Sequence, residues 1–369
     1  MAKQSSFPFS FLKFGKKSST TALIALLAWA VYQLGEQYQA KQPVTLPASN
    51  SPVHIYSNQA QDNLQQLYVQ AIDSAQKSVT FVIYALKDPQ VVKALQRKTE
   101  AGIPVFIVCD AKASQGITRL LPKATIVRRL GDGLMHQKIL IIDEQRILLG
   151  SANMTTKSLQ SYGNLVYGID NPALAEALTA KAKSMDEEGG STPLLHRETQ
   201  VAGQNLELWI LPDDQQAVNR MIRAFQSAKK TIRVAMFTFT RMDFAQELID
   251  AAKRGIKVDI VLDRYSSKGA NAKVVQTLER AGIAVRLSTG EGLMHHKFVE
   301  IDNTMLINGS ANWTNNAFKL NDDCFIVLYP LTPEQQDKMD RVWETLWAKS
   351  ALSTAESVKK MKTKPSLEN

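Results

Sequence analysis

Cysteine is nearly absent from this chain: Cys109 and Cys324 are the two in 369 residues. So small a number excludes a disulfide-stapled scaffold. Both lie in apolar, strand-like runs, which points to buried unpaired thiols. No Cys-x-x-Cys, His-Glu-x-x-His or Asp-x-Asp-x-Asp-Gly string occurs. The usual zinc and calcium signatures are therefore missing, and neither a metal nor another cofactor is expected. A spanning hydrophobic run is lacking as well. The uncharged apolar stretch at residues 22–32 falls short of the ~20 residues a spanning helix needs, and counting from 20 to 34 makes it only marginal. Lys3, Lys13, Lys16 and Lys17 precede it. A basic head before a short apolar core reads as a secretory signal or a signal anchor. The expectation is an exported or membrane-anchored protein, attached through residues 20–34, with the rest of the chain outside the cytoplasm.

Repetition is what the chain has in place of these features. Residues 133–138 read Gly-Leu-Met-His136-Gln-Lys138, followed by Asp143 and then Gly150-Ser151-Ala152-Asn153. Residues 292–297 read Gly-Leu-Met-His295-His-Lys297, followed by Asp302 and then Gly309-Ser310-Ala311-Asn312, with every spacing kept at an offset of 159. The duplication extends beyond this string. Helical patterns at 63–77 and 217–230 lead into apolar runs at 79–86 and 232–240. The strand-like runs 104–110 and 258–263 correspond, as do 165–169 and 324–329, and a helical pattern closes each copy at 172–185 and 333–347. Alternating strand and helix patterns argue for an α/β fold. Its form would be two homologous units, each a mixed β-sheet flanked by helices, packed with pseudo-twofold symmetry. Residues 1–50 carry the signal or anchor and a proline-containing tether. Residues 51–187 form the first unit, 188–205 a Gly/Ser/Pro-containing linker, 206–348 the second unit and 349–369 a polar tail.

The repeated residues are suited to phosphate chemistry. On a strand, His136 and Lys138 face one way and Gln137 the other, and His295 and Lys297 share a face opposite His296. Each copy thus presents an imidazole beside an ammonium. Asp143 and Asp302 lie an odd number of residues past the lysines and read as structural, pairing with a basic group across the domain. Ser151, Ser310, Asn153 and Asn312 supply neutral hydrogen-bonding groups for phosphoryl oxygens. Two lysines and two asparagines converging on one group would stabilise charge that develops during transfer.

This constellation resembles the phospholipase D superfamily across roughly residues 53–347. The wording of the second copy, Met294-His295-His296-Lys297-Phe298 and then Gly309-Ser310-Ala311-Asn312-Trp313-Thr314, is most similar to the branch of bacterial endonucleases and mitochondrial cardiolipin hydrolase. Members of that branch carry one motif per chain and build their site by dimerising, whereas a fused duplication lets a monomer do the same. The resemblance implies two phospholipase D-like domains and a two-step displacement. One histidine attacks phosphorus to form a phosphohistidine. The other protonates the leaving alkoxide and then activates water. The family often places a carboxylate 28 residues after the motif histidine. Asp323 stands there after His295, but Asn164 stands there after His136. The resemblance favours cross-pairing, in which Asp323 orients His136 as the nucleophile.

Three functions are compatible with this reading. The first is hydrolysis of phospholipid headgroup esters at a membrane, with exposed apolar residues at the mouth; Leu134, Met135, Leu293 and Met294 are candidates. The second is metal-independent nucleic-acid cleavage, with Arg128, Arg129, Arg264, Tyr265 and Lys268 as groove candidates. The third is phosphatidyl transfer, in which an alcohol replaces water. The net charge of +9 suits an anionic phosphodiester of either kind, lipid or nucleic acid. A scaffold without activity is disfavoured, because both copies keep His, Lys, Ser and Asn.

Overall fold

The computed structural model describes residues 44–189 and 192–353. The proposed signal or anchor at 20–34 lies outside them, as does most of the tail. Among the described residues, no helix is long and apolar enough to cross a membrane.

The first half builds a seven-stranded sheet and the second a nine-stranded sheet. In the first, β2 (Val79–Ile83), β3 (Val105–Asp110) and β4 (Thr125–Arg129) are parallel. Antiparallel to β2 runs β5 (Lys138–Ile142), followed by β6 (Arg146–Gly150), β7 (Leu165–Asp170) and the short β1 (His54–Ser57). In the second, β8 (His196–Val201) and β9 (Gln204–Leu211) precede a parallel trio of β10 (Thr231–Met236), β11 (Lys257–Leu262) and β12 (Val285–Ser288). The antiparallel set is β13 (Lys297–Ile301), β14 (Met305–Gly309) and β15 (Asp323–Tyr329), with β9 alongside β15. The mixed sheets and their duplication are the architecture the repeat implied.

Burial explains the strand sequences. Strands β2 and β5 are buried at every position, as their unbroken apolar character demands. One face of each sheet looks toward the other. Ile139, Ile141, Leu149 and Tyr167 from the first half share a core with Leu206, Leu208, Phe298 and Leu306 from the second. The outer faces are covered separately by helices such as Pro89–Glu100 and Met242–Lys253. Asp88 caps the former, with proline in its first turn. Helix Pro333–Ala348 starts with a Thr332/Gln335 capping box. Its Gln335 amide also reaches the Val53 carbonyl of the other half.

Three segments differ from the sequence reading. Much of the stretch read as a linker is strand: β8 pairs with β9 around a turn in which Ala202 and Gly203 have positive φ. As an exposed edge strand, His-Arg-Glu-Thr-Gln-Val shows no apolar alternation to betray it. Ser350–Leu352, read as tail, forms β16 against β12. At the other end, Val44 and Leu46 pack on the first core, and the Val44 N–H donates to Gln70 Oε1 at 2.8 Å.

Candidate active site

Each motif begins where one half crosses the other. The His136 N–H donates to the Asp322 carbonyl at 2.8 Å, and the Gly163 N–H donates to the Leu293 carbonyl at the same distance. These are isolated parallel bridges, Met135 to Asp322 and Gly163 to Met294, linking opposite halves. The crossing explains the motif glycines. A Cβ on Gly133 would lie 1.9 Å from the Leu320 carbonyl oxygen, and one on Gly292 would lie 2.3 Å from that of Ser161. Only glycine admits so close a backbone.

The crossing brings each imidazole to a partner from the other half. His136 Nδ1 lies 2.8 Å from Asp323 Oδ1. His295 Nδ1 lies 3.1 Å from Asn164 Oδ1. The two rings are therefore held alike but by unlike groups, one charged and one neutral. The second contacts differ to match. Asn164 Nδ2 donates to the Ser158 carbonyl at 2.8 Å, where a carboxylate oxygen would meet a lone pair. Asp323 Oδ2 instead accepts from the Asn321 amide at 3.4 Å.

Both lysines are buried beside their histidines. Lys297 Nζ donates to the His295 carbonyl at 2.8 Å, and Lys138 Nζ makes the equivalent bond to the His136 carbonyl. Tyr84 and Phe237, at matching strand ends, floor the two copies. Lys138 stands 5.2 Å from the Tyr84 ring centre and Lys297 4.8 Å from that of Phe237. Tyr84 also meets His136 edge-on, and Phe237 tilts against His295. The sequence reading missed both rings, although their shared place after β2 and β10 within the repeat was available as a signal.

Electrostatics tie the four basic groups together. Burial holds the His136 imidazole below its ordinary value, and Lys138 adds to this while Asp323 opposes it. Burial, then Lys297, Lys138 and His136, push His295 well below. Burial lowers Lys138 to about 7, against the pull of Asp323. Lys297 is driven well down by burial and by Lys138. Groups of opposite halves thus depress each other's protonation across one site. An incoming phosphodiester anion would reverse this, restoring charge to the ammonium groups and letting His295 take up a proton. For Asp323, burial alone would raise the carboxyl, but His136, Lys138 and the Ser310 hydroxyl outweigh it and hold it low.

The shielded amide oxygens of Asn153 and Asn312 have no hydrogen-bond partner among the described residues. The hydroxyls of Ser151 and Ser310 are taken up inside the protein, which corrects their reading as phosphate ligands. Both are fully buried. The Ser310 hydroxyl donates to Asp323 Oδ1 at 2.6 Å and accepts from the Cys324 N–H at 3.0 Å. The Ser151 hydroxyl donates to Asn164 Oδ1 at 2.9 Å and accepts from the Leu165 N–H at 3.1 Å. The serines therefore fix the groups that orient the histidines.

The motif aspartates are structural, but their partners are not basic side chains as expected. Asp143 accepts from the N–H groups of Gln76, Lys77 and Ser78, with contacts as short as 2.7 Å. Asp302 accepts likewise from Lys229, Lys230 and Thr231. Both occupy hairpin turns in which two successive residues have positive φ, Asp143-Glu144 and Asp302-Asn303. Such turns favour Asp and Asn. Gln137 and His296 face away from the site, as alternation required. His296 Nε2 meets Gln59 Oε1 at 2.7 Å, and burial pushes its imidazole down to about 3.

Other candidates fare unevenly. Arg129 is buried and binds Asp322 across the halves at 2.5 Å, so it is an internal tie and not a groove residue. Arg128 donates to the Ala111 carbonyl at 3.2 Å. Arg264 lies over the Tyr265 ring at 4.5 Å, with Lys268 at 6.0 Å. Met135 and Met294 are core residues and Leu293 is half-buried, whereas Leu134 is exposed. Cys109 and Cys324 are both free and buried, with burial raising their thiols to about 11 and about 12.

The arrangement is a duplicated α/β frame whose halves each deliver one imidazole–ammonium pair to a common site. A family model described as "Cardiolipin synthase, PLD-like domain" matches residues 68–185 and 221–347, and the chain belongs to this phospholipase D-like family. Among curated proteins it is similar to the mitochondrial cardiolipin hydrolases of Xenopus laevis, at 29% identity over 136 residues, and Homo sapiens, at 30% over 142. These alignments cover 36% of this chain, and they span 64% of the frog protein and 54% of the human one. The fold is shared with the phosphatidylserine synthase of Haemophilus influenzae Rd KW20, with a TM-score of 0.65 at 13% identity, covering 89% of this chain and 96% of that one.

Proposed function

We propose that this chain is a phosphoric diester hydrolase that cleaves the headgroup ester of a phospholipid through a phosphohistidine intermediate. The crossed pairing of His136 with Asp323 and of His295 with Asn164 carries the proposal. Asp323 accepts a hydrogen bond from the Nδ1–H of His136, which leaves the Nε2 lone pair for attack on phosphorus. As the P–N bond forms and the P–O bond to the headgroup breaks, protonated His295 gives its proton to the departing alkoxide. The phosphoryl oxygens are held by Lys138, Lys297 and the amides of Asn153 and Asn312. His295 then takes a proton from water. The resulting hydroxide attacks phosphorus, the P–N bond breaks, and phosphatidate leaves with His136 free again.

The names of the curated relatives support a lipid substrate, and the sequestration of Arg129 weakens the nucleic-acid groove. One chain carries both motifs, which supports a monomeric catalytic unit. We place the chain at a membrane outside the cytoplasm, with residues 20–34 as signal or anchor. The test is the full chain in detergent with EDTA, offered labelled cardiolipin, phosphatidylcholine, and single-stranded DNA or RNA. Phosphatidate should appear. Nucleic-acid cleavage with lipids left intact would replace the proposal with a nuclease. Capture of the phosphatidyl group by added glycerol in preference to water would make the chain a transferase. Strict dependence on a metal would contradict the mechanism.

A further inference from the structure

The duplication supplies an internal control for the mouth of the site. Residues 130–136 are equivalent to 289–295, and 320–323 to 161–164, at the same offset. On the His136 side, Leu130 is 62% exposed, Leu320 52% and Leu134 43%. Their counterparts on the His295 side are Thr289, Ser161 and the half-buried Leu293. The first rim exposes three leucines where its symmetry mate offers a threonine, a serine and one half-buried leucine.

Leu134 and Leu320 stand on loops that the two halves bring together, and Leu130 precedes Leu134 by four residues. The Leu134 N–H donates to Asn321 Oδ1 at 3.0 Å, and the Asp322 N–H donates to the Leu134 carbonyl at 2.9 Å. Gly131, Gly133 and Leu320 line a common cavity of about 190 Å³ with Arg129 and Asp322. Leu134 lies two residues before His136 and Leu320 three before Asp323, which ties both leucines to the catalytic pair. Nothing in the fold requires three leucines to face water here, since the paired loop across the site does without two of them.

We propose, resting on the lipid reading above, that this one-sided rim docks on a lipid surface, with Leu130, Leu134 and Leu320 among the acyl chains. The chemistry accounts for the asymmetry. A nucleophile and its leaving group lie on opposite sides of phosphorus. The headgroup therefore departs past the rim beside His295, where its oxygen is protonated, and the diacylglycerol oxygen, equatorial to that axis, is left to lead out over the leucines. The exposed Lys319 and Asp132 flank the leucines at headgroup depth.

The test compares full-length protein with Leu130→Ser, Leu320→Ser and the double variant. One substrate is phosphatidylglycerol in dioleoylphosphatidylcholine vesicles and the other is bis(p-nitrophenyl) phosphate free in solution. Loss of a half-exposed leucine from lipid should lower the vesicle rate by roughly threefold to tenfold per residue. Turnover of the soluble diester should stay unchanged, which also certifies the fold. An unchanged vesicle rate, or equal losses on both substrates, would overturn the docking. A second readout needs no turnover: Leu320→Cys carrying an environment-sensitive dye should brighten on adding vesicles, the native thiols being buried. No change in emission overturns the proposal. A dimer that Leu320→Ser dissolves, with no response to vesicles, also overturns it and assigns the rim to a second copy. If neither substrate turns over while the dye responds, the functional reading fails and the docking stands.

Discussion

Replacing Asp323 with asparagine isolates what charge contributes to the site. The side chain is fully buried and accepts from His136 Nδ1 at 2.8 Å, Ser310 Oγ at 2.6 Å and Asn321 Nδ2 at 3.4 Å. Asp323→Asn keeps the shape and removes the negative charge. The amide has one oxygen to offer where three groups now donate to two. The Nδ1–H tautomer of His136 loses its strongest support, and so does the positive charge that a phosphorylated imidazole carries. The comparable change in a Ser-His-Asp triad costs ~10⁴ in kcat, so a loss of about 10²–10⁴ is expected here. Asn164→Ala is the contrasting variant. It removes a neutral acceptor 3.1 Å from His295. A neutral hydrogen bond is worth about 0.5–1.5 kcal/mol, so the expected loss is roughly tenfold or less. Initial rates on a p-nitrophenyl phosphodiester measure both, with thermal melting to confirm the folds. Equal losses for the two variants would refute the assignment of unlike roles. Retention of kcat within about threefold by Asp323→Asn would refute the orienting carboxylate itself.

Two further outcomes follow from the same geometry. Asp143→Ala strips the acceptor from three backbone N–H groups in a turn with φ 57° at this residue. A loss of roughly 1–3 kcal/mol in urea denaturation is expected, with near-normal turnover by the folded fraction. Acid should also destabilise the protein. Burial holds His136, His295 and His296 below their ordinary value of 6.5, His296 at about 3. The unfolded chain therefore takes up protons first as pH falls. The stability these groups contribute is full above about pH 6.5 and drains away below it, at up to about 1.4 kcal/mol per pH unit for each histidine. Melting at pH 8, 6 and 5 should show the decline, and a flat profile would contradict the buried neutral imidazoles.

The sequence carried much of this, for identifiable physical reasons. Repetition exposed the two units because each copy needs the same chemistry at the same spacing. Strand alternation placed His136 with Lys138 and turned His296 away. The contrast between Asp323 and Asn164 was visible as a departure from the repeat. What stayed hidden depends on contacts distant in sequence. The role of Ser310 follows from the register of β14 on β15, in which Gly309 faces Phe325. The need for Gly133 follows from Leu320, nearly two hundred residues away. Arg129 looked like a groove cation until Asp322 met it from the other half. The edge strand β8 has no buried face to leave an alternating pattern.

The central claim is a division of labour between two imidazoles, and the covalent intermediate tests it most directly. His295→Gln removes the proton donor, which a p-nitrophenolate leaving group does not need, and also the group that activates water. The phosphoenzyme should therefore accumulate from a p-nitrophenyl diester. Mass spectrometry under alkaline conditions should locate a base-stable, acid-labile adduct on His136. An adduct on any other residue, or none while p-nitrophenol is released, would contradict the account.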